Sequence, residues 1–80
     1  MLIAIQIKAA RAALRLSVNQ LAELSGVSAR TIKRMEADDG ELVNTRANQL
    51  AVKAALEAVG IEFIGTPDDG PGIRLMRPKP

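Results

Sequence analysis

The chain is 80 residues long, 48% apolar with a single aromatic residue, and carries neither cysteine nor histidine; 11 basic and 9 acidic side chains leave a net charge of +2. A domain of this size buries only about 60–65% of the surface its unfolded chain exposes. Disulfides, thiol or imidazole catalysis and the commonest metal ligands are excluded, so self-association is the remaining way to reinforce an aliphatic, alanine-rich core.

The charge is unevenly spread. Up to Met35 the bases Lys8, Arg11, Arg15, Arg30, Lys33 and Arg34 face the single acid Glu23, a local balance of +5, whereas the remainder of the chain sums to −3. A basic N-terminal half is what a phosphate-facing surface requires, and a solvated helix face produces the same bias.

Ile3, Ile7, Ala10 and Leu14 fall on one helical stripe with Gln6, Arg11 and Arg15 off it, which predicts a first helix over residues 4–16. Leu2 and Ile5 are left outside the stripe, either as an apolar patch for a partner subunit or, with Ile3 and Ile7, as the start of a short strand. The apolar opening from Met1 to Ile7 has no basic leader and is interrupted by Lys8 and Arg11 far short of a membrane span, so a soluble cytoplasmic protein is expected.

Ser17 followed by Gln20 is a capping box, in which each side chain satisfies the other's backbone N–H. A second helix therefore starts at Val18, buries Leu21, Ala22 and Leu24, and stops at Ser25 and Gly26, where glycine adopts the left-handed conformation that ends helices. Val27 is an apolar plug, and Ser28 caps a third helix over residues 29–37 with Ile32 and Met35 inward. Arg30, Lys33 and Arg34, spaced i, i+3 and i+4, form one outward cationic stripe.

An acidic, turn-prone stretch from Glu36 to Glu41 follows, after which Asn44 and Thr45 can cap a long alanine-rich helix ending at Gly60. Leu50, Val52, Ala54, Leu56 and Val59 cover more than one narrow stripe of it. Leu50, Val52 and Leu56 are read as core, and the outlying members as contacts with something further. Beyond Gly60 the period becomes two: Ile61 and Phe63 oppose Glu62, and Ile73 and Leu75 oppose Arg74. Residues 65–72, dense in Gly, Pro and Asp, make a wide loop between them. The expectation is a β-hairpin over residues 61–76, with a frayed tail at 77–80.

Two short helices joined by a glycine turn, the second with a polar outward face, are a minimal device for seating a helix in the DNA major groove. Taken alone, Arg30, Lys33 and Arg34 read as a solvated face; with the capping box, the turn and the family resemblance given next, they read as DNA contacts. The segment SVNQLAELSGVSARTIKRME resembles the helix-turn-helix of the Cro/CI-like (XRE) repressors of phages and bacteria, whose usual form is S-Q-x-x-L-A-x-x-x-G-V-S-x-x-T-I-x-x-x-E. The match lies at Ser17, Leu21, Ala22, Gly26, Val27, Ser28, Thr31, Ile32 and Glu36, with Arg11 where the family often has an arginine.

The resemblance implies a mainly α, lambda-repressor-like bundle of four helices over residues 1–60, its motif at about 17–37, followed by the hairpin. It implies that Ala29, Arg30, Lys33 and Arg34 meet base edges, and that Val18, Asn19, Gln20, Ser28, Thr31, Asn44 and Arg46 lie along the backbone or flank the bases. Val18 stands where the family commonly has a DNA-contacting glutamine, which removes one polar anchor and leaves Gln20 mainly a cap. Arg11 and Glu36 resemble the family's internal ion pair, a structural rather than catalytic feature.

The implied function is a sequence-specific regulator, an autoregulatory repressor binding an inverted-repeat operator as a homodimer. Its dimer interface is expected at Leu56, Val59, Ile61, Phe63, Ile73 and Leu75. No metal, cofactor, small-molecule ligand or membrane is expected, and in so short a chain regulation falls to protein concentration and operator occupancy. An antitoxin that binds both DNA and a toxin is the competing reading, for which the hairpin and Pro78, Lys79 and Pro80 are the candidate docking segments. Catalysis is not expected: Asp38, Asp39, Asp68 and Asp69 lie in solvated turns, and Gly70, Pro71 and Gly72 neither precede a helix nor carry a P-loop lysine.

Overall fold

The computed structural model describes residues 4–37, 46–66 and 68–76. Leu2 and Ile3, the acidic turn after Ala37, the expected cap at Asn44 and Thr45, and the tail at 77–80 lie outside the described residues. Four helices precede a hairpin: α1 (Ala4–Leu14), α2 (Val18–Ser25), α3 (Ala29–Ala37), α4 (Arg46–Ala58), β1 (Ile61–Thr66) and β2 (Asp69–Leu75). The fold is mainly helical with a C-terminal two-stranded antiparallel sheet, as expected. Among the described residues no helix is long and apolar enough to cross a membrane.

Ile5 and Ile7 are helical, which resolves the alternative of an initial strand in favour of α1. The helix stops two residues before the expected Leu16 because the chain turns left-handed at Arg15, with φ 56°. The Arg15 N–H then bonds Ala12 O at 3.2 Å and the Leu16 N–H bonds Arg11 O at 2.9 Å. This pair of bonds is a Schellman closure with arginine in the place glycine normally takes. It swings Leu16 back to pack on the core.

Each helix supplies one stripe to that core: Ile7 and Ala10 from α1, Leu21 from α2, Ile32 and Met35 from α3, Val52 and Leu56 from α4. Two expected core residues lie elsewhere. Leu24 is 50% exposed, because the buried stripe of α2 runs through residues 18, 21, 22 and 25, and position 24 falls more than a quarter turn away from it. Leu50 is 53% exposed: α4 turns residues 49, 52 and 56 inward, and position 50 shares the opposite face with Ala54.

The hairpin solves the marginal stability of an isolated strand pair by lying on α1 through β2 and on α4 through β1. Ile61 faces Leu75 and Phe63 faces Ile73 on its apolar side, and Ile61 enters the core while Phe63 and Ile73 pack against it. Glu62 and Arg74 pair on the other face at 2.9 Å, both exposed, a geometry that contributes about 0–1 kcal/mol. The wide loop expected over residues 65–72 is replaced by a tight one, since pairing continues to Thr66 opposite Asp69 across a bulge in which Gly70 and Pro71 oppose the single residue Gly65. Gly65 holds φ 75° and a Cβ there would run into the Gly70 carbonyl, so residues that read as loop formers are spent on a bulge.

Candidate nucleic-acid interface

The α2–turn–α3 unit is assembled almost wholly from local hydrogen bonds. Ser17 Oγ accepts from the Gln20 N–H at 3.0 Å while the Ser17 N–H donates to Gln20 Oε1 at 2.8 Å, closing the expected capping box. At the other end of α2, Gly26 takes φ 75° and its N–H bonds Ala22 O at 2.9 Å. The Val27 N–H is satisfied by Ser25 Oγ at 3.1 Å, and the Val27 side chain is buried. That buried plug sets where α3 departs from the core.

Ser28 then caps α3. Its Oγ accepts from the Thr31 N–H at 3.2 Å and donates to Thr31 Oγ1 at 2.9 Å. A hydroxyl carries one proton, so with Ser28's proton given to Thr31, the Thr31 hydroxyl keeps its own proton to donate elsewhere. Arg30, Lys33 and Arg34 are all exposed on the face opposite Ile32 and Met35. None of the three forms an ion pair with a described residue. Among the described residues the helix therefore presents a row of cations without ion-pair partners, the arrangement that an array of phosphates or guanine edges complements.

The remaining expected contacts divide by burial. Asn19, Gln20, Ser28 and Arg46 are exposed, and Ala29 and Thr31 half-buried. Gln20 Oε1 is committed to the cap, in keeping with a capping role. Val18 packs against the core, so its side chain is structural, and the first-turn backbone of α2 and the exposed Asn19 side chain remain free to face a phosphate. Asn44 lies outside the described residues.

Arg11 fastens this unit to the rest of the fold. Its Nε donates to Glu36 Oε2 at 2.7 Å and its Nη2 to Glu36 Oε1 at 2.8 Å, a two-pronged pair from α1 to α3. A third nitrogen, Nη1, donates to Leu16 O at 2.9 Å, so one side chain ties the end of α1, the approach to α2 and the end of α3 together. Glu36 accepting these bonds raises the Arg11 pKa above its ordinary value, against the opposing effect of burial.

Two contacts were not visible in the sequence. The first is that bond to Leu16 O. The second is Gln6, 3% exposed, whose Nε2 donates to Ile64 O at 3.3 Å and Gly72 O at 3.1 Å. Expected off the buried stripe of α1, Gln6 is buried because the hairpin covers that flank of the helix, and its position four residues before Ala10 was the available signal. Of the residues expected at a dimer interface, Leu56 and Ile61 are closed inside this chain's own core and Phe63 and Ile73 pack against it, because the apolar face of the hairpin turns toward the helices. Val59 and Leu75 stay exposed, joined by Met76.

With this geometry established, comparison with known proteins identifies one relationship. A family model described as helix-turn-helix matches residues 7–61, more than half of the chain, running from within α1 to the first residue of β1. No curated protein and no solved structure matches the chain.

Proposed function

The chain belongs to the helix-turn-helix family of Cro/CI-like (XRE) type, whose members are DNA-binding transcriptional regulators, and on that premise we propose that it is a repressor that occupies an inverted-repeat operator as a twofold dimer. The observation that supports this reading most is the exposed row of Arg30, Lys33 and Arg34 on α3, unpaired among the described residues, on an amphipathic helix that a glycine turn and a half-buried ion pair hold at a fixed angle. The N-terminal part of α3 enters the major groove, Arg30 and Arg34 contact guanine edges through two N–H groups each, and Lys33 takes a base or a phosphate. Asn19, Thr31 and Arg46 contact the phosphates on either side.

The second subunit docks at the base of the hairpin. Met76 N–H bonds Gly60 O there, and the apolar side chains of Val59, Leu75 and Met76 in this region are each exposed. In such a dimer the two α3 helices lie about one DNA turn, roughly 34 Å, apart. Binding at a promoter excludes polymerase, and binding at the chain's own promoter makes its concentration self-limiting.

A mobility-shift titration against the chain's own upstream DNA, with random duplex as competitor and salt varied, tests the reading. A complex that survives competitor, and weakens with salt by a log–log slope of about −0.9 per phosphate contacted, is the expected result. Equal affinity for upstream and random duplex would remove the autoregulatory part, and no binding at low salt would favour a protein-docking role.

A further inference from the structure

The two ends of α1 are tied to different parts of the molecule. Near its start, Gln6 bonds the carbonyls of Ile64 and Gly72. These residues face each other across the hairpin, so one amide nitrogen bridges both strands. Toward its end, Arg11 grips Glu36 on the last turn of α3. Helix α1 is therefore a strut with the hairpin at one end and the DNA-facing helix at the other.

We propose that Gln6 is a positioning residue that sets the half-site spacing the dimer accepts, by fixing the angle of the hairpin on α1. The inference rests on the hairpin-based dimer proposed above. Apolar contact through Ile61, Phe63 and Ile73 holds the hairpin against the helices, but such contact is non-directional and tolerates a roll of the strands. Hydrogen bonds are directional and weaken steeply with misalignment. A donor shared between two opposed carbonyls therefore resists the roll that apolar packing permits. If each hairpin carries its subunit's dimer contact, a roll at both hairpins changes the separation and relative rotation of the two α3 helices. One extra base pair between half-sites displaces them by about 3.4 Å and roughly 35°. A rigid dimer rejects that change and a rolling one absorbs it.

The test uses the full chain and two duplexes: one selected by the wild-type chain from a random-sequence library, and the same duplex with one base pair inserted at its dyad. Sedimentation first establishes whether the wild type and Gln6→Met are dimers, and circular dichroism establishes that both fold. Gln6→Met keeps the side-chain length and removes the donor; if it does not fold, Gln6→Asn, whose amide is one methylene too short to span, replaces it. The expected variant is a folded dimer with unchanged affinity for random duplex. Its affinity for the selected duplex falls about two- to tenfold, the range of one net hydrogen bond, and its ratio of selected to inserted affinity moves toward one. Loss of folded protein lowers both affinities equally and does not move that ratio. A dimeric wild type whose ratio survives intact in the variant overturns the role of Gln6 alone, as does a variant that becomes monomeric. A wild type that binds as a monomer, or ignores the insertion, overturns the dimer reading and this inference with it.

Discussion

At the level of single residues, some side chains are held by partners and others are left open. Arg30 and Arg34 are open: exposed, unpaired among the described residues, and remote from the core. Replacing either with alanine is expected to weaken binding to a selected duplex by about 1–3 kcal/mol, with the thermal midpoint unchanged, as read by paired anisotropy titrations and melting curves. Arg11 and Glu36 are the held pair, with side chains 24% and 9% exposed. Removing one partner, as in Arg11→Met, leaves a nearly buried carboxylate without its cation and is expected to destabilise the fold by about 3 kcal/mol, the lower end for buried pairs because Arg11 keeps some solvent. The raised pKa of Arg11 gives the pH dependence its sign: the pair's contribution is complete below the ordinary arginine value and fades only as pH rises through the higher folded value. Melting curves between pH 6 and 10 should therefore show no loss attributable to this guanidinium. Arg15 offers the opposite experiment. It sits at φ 56°, a conformation disfavoured by about 1–2 kcal/mol for residues with a Cβ, and Arg15→Gly is expected to raise the melting midpoint by a few degrees, a fall counting against the strain.

Among the elements, what was legible in the sequence was what local bonding decides. The boundaries of α2 and α3 follow from Ser17, Gln20, Gly26 and Ser28, each of which acts within three or four residues of its own position, so the reading frame of the DNA-facing unit was available before any tertiary structure. The facing of Leu24 and Leu50 was not. Leu24 lies off the buried stripe of α2 and Leu50 opposite that of α4, and which face of a helix is covered depends on the angle of a neighbour that no local pattern encodes. The end of α1 escaped for a related reason, since a left-handed arginine carries no sequence mark of the kind glycine does. In the hairpin the period of two located both strands, but the glycines at 65 and 70 were open to two uses and the structure takes the bulge. Gly65→Ala meets both a left-handed φ and the Gly70 carbonyl; it should destabilise the fold by at least about 1–2 kcal/mol. Denaturant unfolding measures this, and a neutral result would contradict the bulge geometry.

For the whole molecule, the hairpin is part of the core as well as the element on which the proposed dimer contact lies. Ile61 is 3% exposed and closes the cluster formed by the four helices. Truncation after Gly60 is therefore expected to unfold the chain rather than yield a folded monomer, which circular dichroism would show directly. The dimer is better probed at residues the fold does not need: Leu75→Lys, at an exposed position, should leave the melting behaviour of the protomer intact and shift sedimentation from dimer to monomer. A dimer undisturbed by this change would place the interface elsewhere. Long-range placement was the part that the sequence could not convey, because Gln6 meets carbonyls 58 and 66 residues away. The central claim is that α3 reads DNA through its cationic row. Its most direct test is anisotropy titration of the wild type and of the Arg30→Ala, Arg34→Ala double variant on a selected and a random duplex. The account predicts a folded double variant whose preference for the selected duplex falls by tenfold or more, each arginine–guanine contact being worth about 1–3 kcal/mol; a folded double variant with its preference intact would contradict it.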